Sequence, residues 1–157
     1  MIAFAALLLV TVAGYAQAER NIYKKYSDEE NVSAVYISPA MFKMMGRIPS
    51  MNLGDGDKDI TPVIRSLSGM YLIDSENREV SEKLKADVQK MVRSSEFELM
   101  MEVKDSGETV NVFTSGKGDN LTGFVLLSSD GPDCTFISLS GNMSRKKLEE
   151  IISKGIN

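Results

Sequence analysis

The stretch FELMMEVKDSGETVNVFTSGKGDNLTGFVLLSSDGPDCTFISLS, residues 97–140, decides the fold. At its start Phe97, Leu99, Met101 and Val103 alternate with Glu98, Met100, Glu102 and Lys104, the period of two shown by a strand with one wet face. Asp105-Ser106-Gly107 then has the composition of a short hairpin turn. Residues 110–114 return, the run 115–120 (SGKGDN) turns again, residues 121–128 run back, and Ser129-Asp130-Gly131-Pro132 leads into a last strand over 134–139. Four strands joined by three loop-sized connections pair with their sequence neighbours, so the stretch predicts an antiparallel meander.

Immediately upstream, residues 76–93 switch to a helical period. Val80, Leu84, Val88, Met91 and Val92 fall on one face, while Glu79, Glu82, Lys83, Lys85 and Lys90 take other positions, as in an amphipathic helix lying on a sheet. Further out, residues 31–38 (NVSAVYIS) are β-branched and aromatic with apolar residues on both faces, which predicts a central strand covered from both sides. A short amphipathic helix over 19–26 precedes it. Pro39 closes that strand, and Ala40-Met41-Phe42-Lys43-Met44-Met45 starts a short helix that ends at Gly46. A polar loop runs to about residue 59, Thr61-Pro62 begin another short helix, and residues 70–73 (MYLI) form a short strand. Ser144 caps a final helix whose Leu148, Ile151 and Ile152 face the sheet. The fold class is therefore α+β. Its antiparallel meander has about four strands, N-terminal strands are added to it, and the helices pack mainly on one face.

Composition narrows the chemistry. The chain has 157 residues, no histidine, no tryptophan and one cysteine, which removes imidazole-based triads and zinc sites built on imidazole or paired thiolates. Net charge is −4 and the basic residues never gather into a stripe, so nucleic acid is excluded as an expected partner. Residues 1–18 carry no charge, residues 2–12 (IAFAALLLVTV) are almost wholly apolar, and Ala16-Gln17-Ala18 places small side chains where a signal peptidase needs them. The expectation is a signal peptide over 1–18 and a single domain over 19–157 with no membrane span after cleavage. An uncleaved anchor is the competing reading, at the short edge of bilayer-spanning length. Cys134 cannot form an intramolecular disulfide, and its inward strand position predicts a buried, inert thiol.

The segment ending Val35-Tyr36-Ile37-Ser38 before Met41, the strand Phe97-Glu98-Leu99-Met100-Met101-Glu102-Val103, and the closing Ile137-Ser138-Leu139-Ser140-Gly141-Asn142 before a helix resemble a Bacteroidetes family of small exported proteins. That family is catalogued as a domain of unknown function, the one numbered four-two-five-two, and the likeness covers most of the chain after residue 18. The resemblance implies an exported single α+β domain and brings no catalytic residues with it.

Among candidate sites, Met41, Phe42, Met44, Met45 and Met51 concentrate more apolar area on a short helix and its following loop than one helical face buries. They form the expected interaction surface, for an unknown envelope protein or an apolar ligand. Cu(I) ligation by Met41 and Met44 is the competing use, though neither histidine nor cysteine stands near to complete a shell. Asp55, Asp57 and Asp59 open like a calcium loop, but the sixth and twelfth positions hold Ile60 and Ser66 instead of glycine and glutamate. Glu98 and Glu102 alternate to one strand face with Lys104, and a hydrolase using such carboxylates is an alternative function. A small apolar-ligand or lipid carrier is another, and a closed cavity beneath residues 41–51 marks it. Gly116-Lys117-Gly118 lacks the spacing of a phosphate loop, and Ser144-Arg145-Lys146-Lys147 reads as a helix cap. No motif calls for a cofactor, and no catalytic residue is assigned. The leading expectation is a non-enzymatic binding domain.

Overall fold

The structure, a computed structural model, describes residues 16–47, 61–147 and 149. In chain order the elements are α1 (residues 16–26), β1 (Val32–Ile37), α2 (Pro39–Met45), α3 (Thr61–Ser66), β2 (Leu67–Ser75), α4 (Arg78–Ser94), β3 (Glu98–Asp105), β4 (Glu108–Lys117), β5 (Asn120–Asp130) and β6 (Asp133–Ser144). The strands form one antiparallel sheet in the order β1-β2-β6-β5-β4-β3. This is the α+β class with a meander and helices on one main face. The final helix begins at Arg145, and Ser144 Oγ accepts from the Lys147 amide at 3.3 Å as a cap does. Leu148, Ile151 and Ile152 lie outside the described residues.

The hairpins are tighter than the composition suggested. Ser106 and Gly107, both at positive φ (49° and 95°), make a two-residue turn whose handedness matches the twist of β3 and β4. The run 115–120 is mostly strand, since β4 continues to Lys117 and β5 starts at Asn120. Gly116 permits this: its φ is 141°, and a Cβ there would lie 2.1 Å from the Asn120 carbonyl oxygen.

Side chains alternate across the sheet, and α1 and α4 seal one face. Asn77 caps α4 by accepting from the amides of Glu79 and Val80, and the helix then buries Val80, Leu84, Val88, Met91 and Val92, the stripe read from the sequence. Beneath lie Tyr71 and Ile73 of β2, Cys134 and Phe136 of β6, and Val125 and Leu127 of β5, with Ile22 and Tyr26 of α1 closing the cluster.

The other face is described by register. One cross-strand row reads Val35, Leu72, Ile137, Leu126, Val112 and Met101 over all six strands. The rows flanking it are Ile37, Met70, Leu139, Phe124, Thr114 and Glu98 on one side, and Ser33, Asp74, Thr135, Ser128, Val110 and Val103 on the other. None of these residues joins the core cluster.

Two strand expectations are corrected. β1 is an edge strand, not a central one covered from both sides, because β2 pairs with β1 on one side and with β6 on the other. Its two apolar faces have separate causes: Val32 packs against the sealed core, whereas Val35 stays 44 % exposed on the far face. β3 has two wet faces, every residue being exposed, since it lies at the opposite edge from β1, two strands beyond the β2, β6 and β5 floor that α4 contacts.

Candidate functional site

Around α2 the chain fixes a short helix firmly. Ser38 Oγ accepts from the Met41 amide at 3.2 Å, Pro39 occupies the first turn where its missing N–H costs nothing, and the Gly46 amide donates to the Phe42 carbonyl at 2.9 Å. Phe42 is buried at 3 % exposure, and Arg65 of α3 donates from Nε to the Gly46 carbonyl at 2.8 Å. Over residues 38–46 the segment is thus tied to the rest of the chain. Capped at both ends, α2 still leaves Met41 at 42 % and Met44 at 58 % exposure, while Met45 is partly buried. The spacing of three puts Met41 and Met44 on one side of the helix. Of the five candidate residues, two therefore face outward and Phe42 serves as the anchor. Met51, like the acidic run 54–59, lies outside the described residues.

Glu98 and Glu102 do not share a face. The register shifts by one residue between Leu99 and Met101, so Glu98 lies opposite Thr114 and Glu102 opposite Asn111, which point to different sides of β4. Glu102 instead pairs with Lys104 at 2.9 Å. The geometry for paired carboxylate chemistry on β3 is absent.

One carboxylate that sequence reasoning missed is Glu19, 1 % exposed, whose Oε1 accepts from Ser138 Oγ and Oε2 from Ser140 Oγ at 3.4 Å. With Ile22, Tyr23 and Tyr26 it occupies the inward stripe of α1, a spacing that could have revealed it. The group joins an acid to serine hydroxyls, yet Ser138 is fully buried and the cluster offers a substrate no approach. It pins α1 over the central strand β6.

Beside it, Tyr23 of α1 packs on Tyr71 and Tyr36, with ring centroids 5.3 and 6.1 Å away, and Tyr36 stacks on Tyr71 at 4.9 Å. Arg20 lies against this group, and its bond to Tyr71 holds the guanidinium above its usual range. At the far end of α1, Asp87 of α4 accepts from Lys25 Nζ at 2.7 Å and from Tyr26 Oη at 2.6 Å. Burial, then the bond to Asp87, pushes the Tyr26 hydroxyl up to about 12. For Asp87 burial acts upward but is outweighed by the bonds from Lys25 and Tyr26, so its carboxyl sits below its ordinary value.

A cleft of about 100 Å³ lies between α3 and the end of β6, lined by Pro62, Val63, Met143 and their neighbours. That is well under the roughly 300 Å³ at which pockets begin to hold a small organic ligand, so it lends a carrier no support. Among the described residues no group of three or more His, Cys, Asp or Glu side chains is arranged to hold a metal ion. Cys134 is buried as expected, and loss of hydration pushes its thiol up to about 11.

Comparison with curated proteins and with solved structures found no match. A family model described as Domain of unknown function (DUF4252) matches residues 23–151, from α1 through the whole sheet and past its last strand. The chain belongs to that DUF4252 family.

Proposed function

We propose that the protein is an exported, non-enzymatic binding domain of the bacterial envelope and that α2 presents its contact surface to an apolar segment of a partner protein. The observation that carries this reading is a helix held rigid by two caps, Phe42 and Arg65 while it exposes Met41 and Met44. A helix so fixed loses little entropy when a partner docks, and unbranched thioether side chains adapt to the surface they meet. Export is supported by the apolar residues 2–12 and the small residues Ala16 and Ala18. Residues 16–26 are helical, so cleavage after Ala18 acts on the unfolded chain, before α1 docks and removes the bond from extended conformation. No helix among the described residues is long and apolar enough to cross a membrane.

The double variant Met41→Ser/Met44→Ser tests the reading. Both side chains point outward, so each change costs stability by no more than about 0.5 kcal/mol, whereas recovery of an apolar envelope partner with the protein is lost. A variant that unfolds, or that recovers the same partner in the same amount, overturns the proposal.

A further inference from the structure

On the face opposite α1 and α4, the apolar residues form a strip that runs from corner to corner. The middle row is apolar on all six strands. One flanking row is apolar on β1, β2, β6 and β5 and polar at Thr114 and Glu98; the other is polar at Ser33, Asp74, Thr135 and Ser128 and apolar at Val110 and Val103. Antiparallel sheets with one solvated face normally alternate apolar-in and polar-out, and this sheet breaks that rule along twelve positions. Val35, Met101 and Val103 are 44 to 47 % exposed, and the other nine are partly open.

We infer that this strip is the contact surface for a second copy of the chain, the two sheets packing face to face. Three features select a second copy. A strip from corner to corner is unchanged when its direction is reversed, so a two-fold axis across its middle lays it on itself and keeps the polar corners at the rim. The only ionisable side chains in the three rows are Asp74 and Glu98, both acidic and both in polar corners, so no charge pattern on the strip specifies a different partner. Asp74 is further satisfied within its own chain by Thr135 Oγ1, which donates to it at 2.7 Å. The area is also sufficient. Six strands about 4.8 Å apart and three rows about 6.7 Å apart, with side-chain margins, give roughly 500 Å² per copy and roughly 1,000 Å² per pair, where specific interfaces begin.

Sedimentation of the exported protein across the micromolar range tests the pairing. The expected result is twice the mass of one chain for the wild type, and one chain mass for Leu126→Lys, which puts a charge at the centre of the strip. Val35→Lys, at a half-exposed edge position outside the core cluster, gives the same dissociation with an unchanged circular dichroism spectrum and so guards against misfolding of the first variant. A wild type that stays monomeric throughout, or a dimer that survives Val35→Lys and a folded Leu126→Lys, overturns the inference. A strip covered by the chain's own terminal residues or by a different protein yields that monomer or a hetero-complex and equally overturns it. The α2 proposal stands or falls separately, because Met41→Ser/Met44→Ser leaves the mass of the pair unaltered.

Discussion

Truncating Leu84 to alanine probes the seal between α4 and the sheet. Leu84 is fully buried in the middle of the helix stripe, among a cluster that includes Ile73, Val88 and Phe136. Removing three carbon groups costs roughly 2.4 kcal/mol of transfer free energy at about 0.8 kcal/mol each, before any cavity is counted. The residual cavity brings the total to about 3 to 5 kcal/mol, since a helix capped at Asn77 and pinned at Asp87 cannot collapse far into the gap. Lys85, the next residue, meets Ser129 Oγ only at 3.4 Å, and Lys85→Ala changes stability by less than about 0.5 kcal/mol. Urea melts at one fixed protein concentration read the difference: at a slope of about 2 kcal/mol per molar, Leu84→Ala lowers the midpoint by at least roughly 1.5 M and Lys85→Ala barely moves it. Equal midpoints for the two variants would refute the assignment of α4 as the helix that closes the core.

Three further outcomes follow from named geometry. Gly116→Ala forces a Cβ to within 2.1 Å of a carbonyl oxygen at a φ of 141° and costs about 2 kcal/mol or more, while Gly118→Asn, at a φ of 58° with open space around it, costs under about 1 kcal/mol; thermal melts that rank them the other way contradict the β4–β5 turn. Because the Asp87 carboxyl is held below its ordinary value of 3.8, it contributes stability that is present above about pH 4 and lost as pH falls through the folded value. Asp87→Asn therefore costs about 1 kcal/mol at pH 7 after allowance for solvent screening and flattens the acid limb of the stability profile, and an unchanged limb refutes the α1–α4 tie. The Cys134 thiol, raised to about 11 by burial, labels at pH 8 only at the rate of unfolding, and rapid stoichiometric labelling of the native protein contradicts its place under α4.

Local periodicity made α4 and the meander legible, because each has a strict repeat and pairs with sequence neighbours. The position of β1 was not legible, since an edge strand between an aromatic cluster and an apolar open face carries the same residues as a central one. Nor was the β3 irregularity: the sequence keeps alternating through Met100, while the register with β4 slips there and separates Glu98 from Glu102. At α2 the break at Pro39 and the end at Gly46 were readable, whereas the Ser38 cap was not read and the clamp from Arg65 comes from 19 residues away with no local signature. Glu19 lay within the helical spacing of Ile22, Tyr23 and Tyr26, but its serine partners sit 119 and 121 residues on. The pairing of β2 with β6, which makes the sheet continuous, is likewise a long-range fact.

The claim that α2 faces a partner is tested most directly by site-specific photo-crosslinking of the protein in cells, with the reactive residue at position 44 on the exposed side of α2 and, as reference, at the exposed position 82 on α4. One discrete adduct is expected from position 44, abolished by Met41→Ser, and none from position 82. Labelling of the same strength from both positions, or none from position 44, contradicts it.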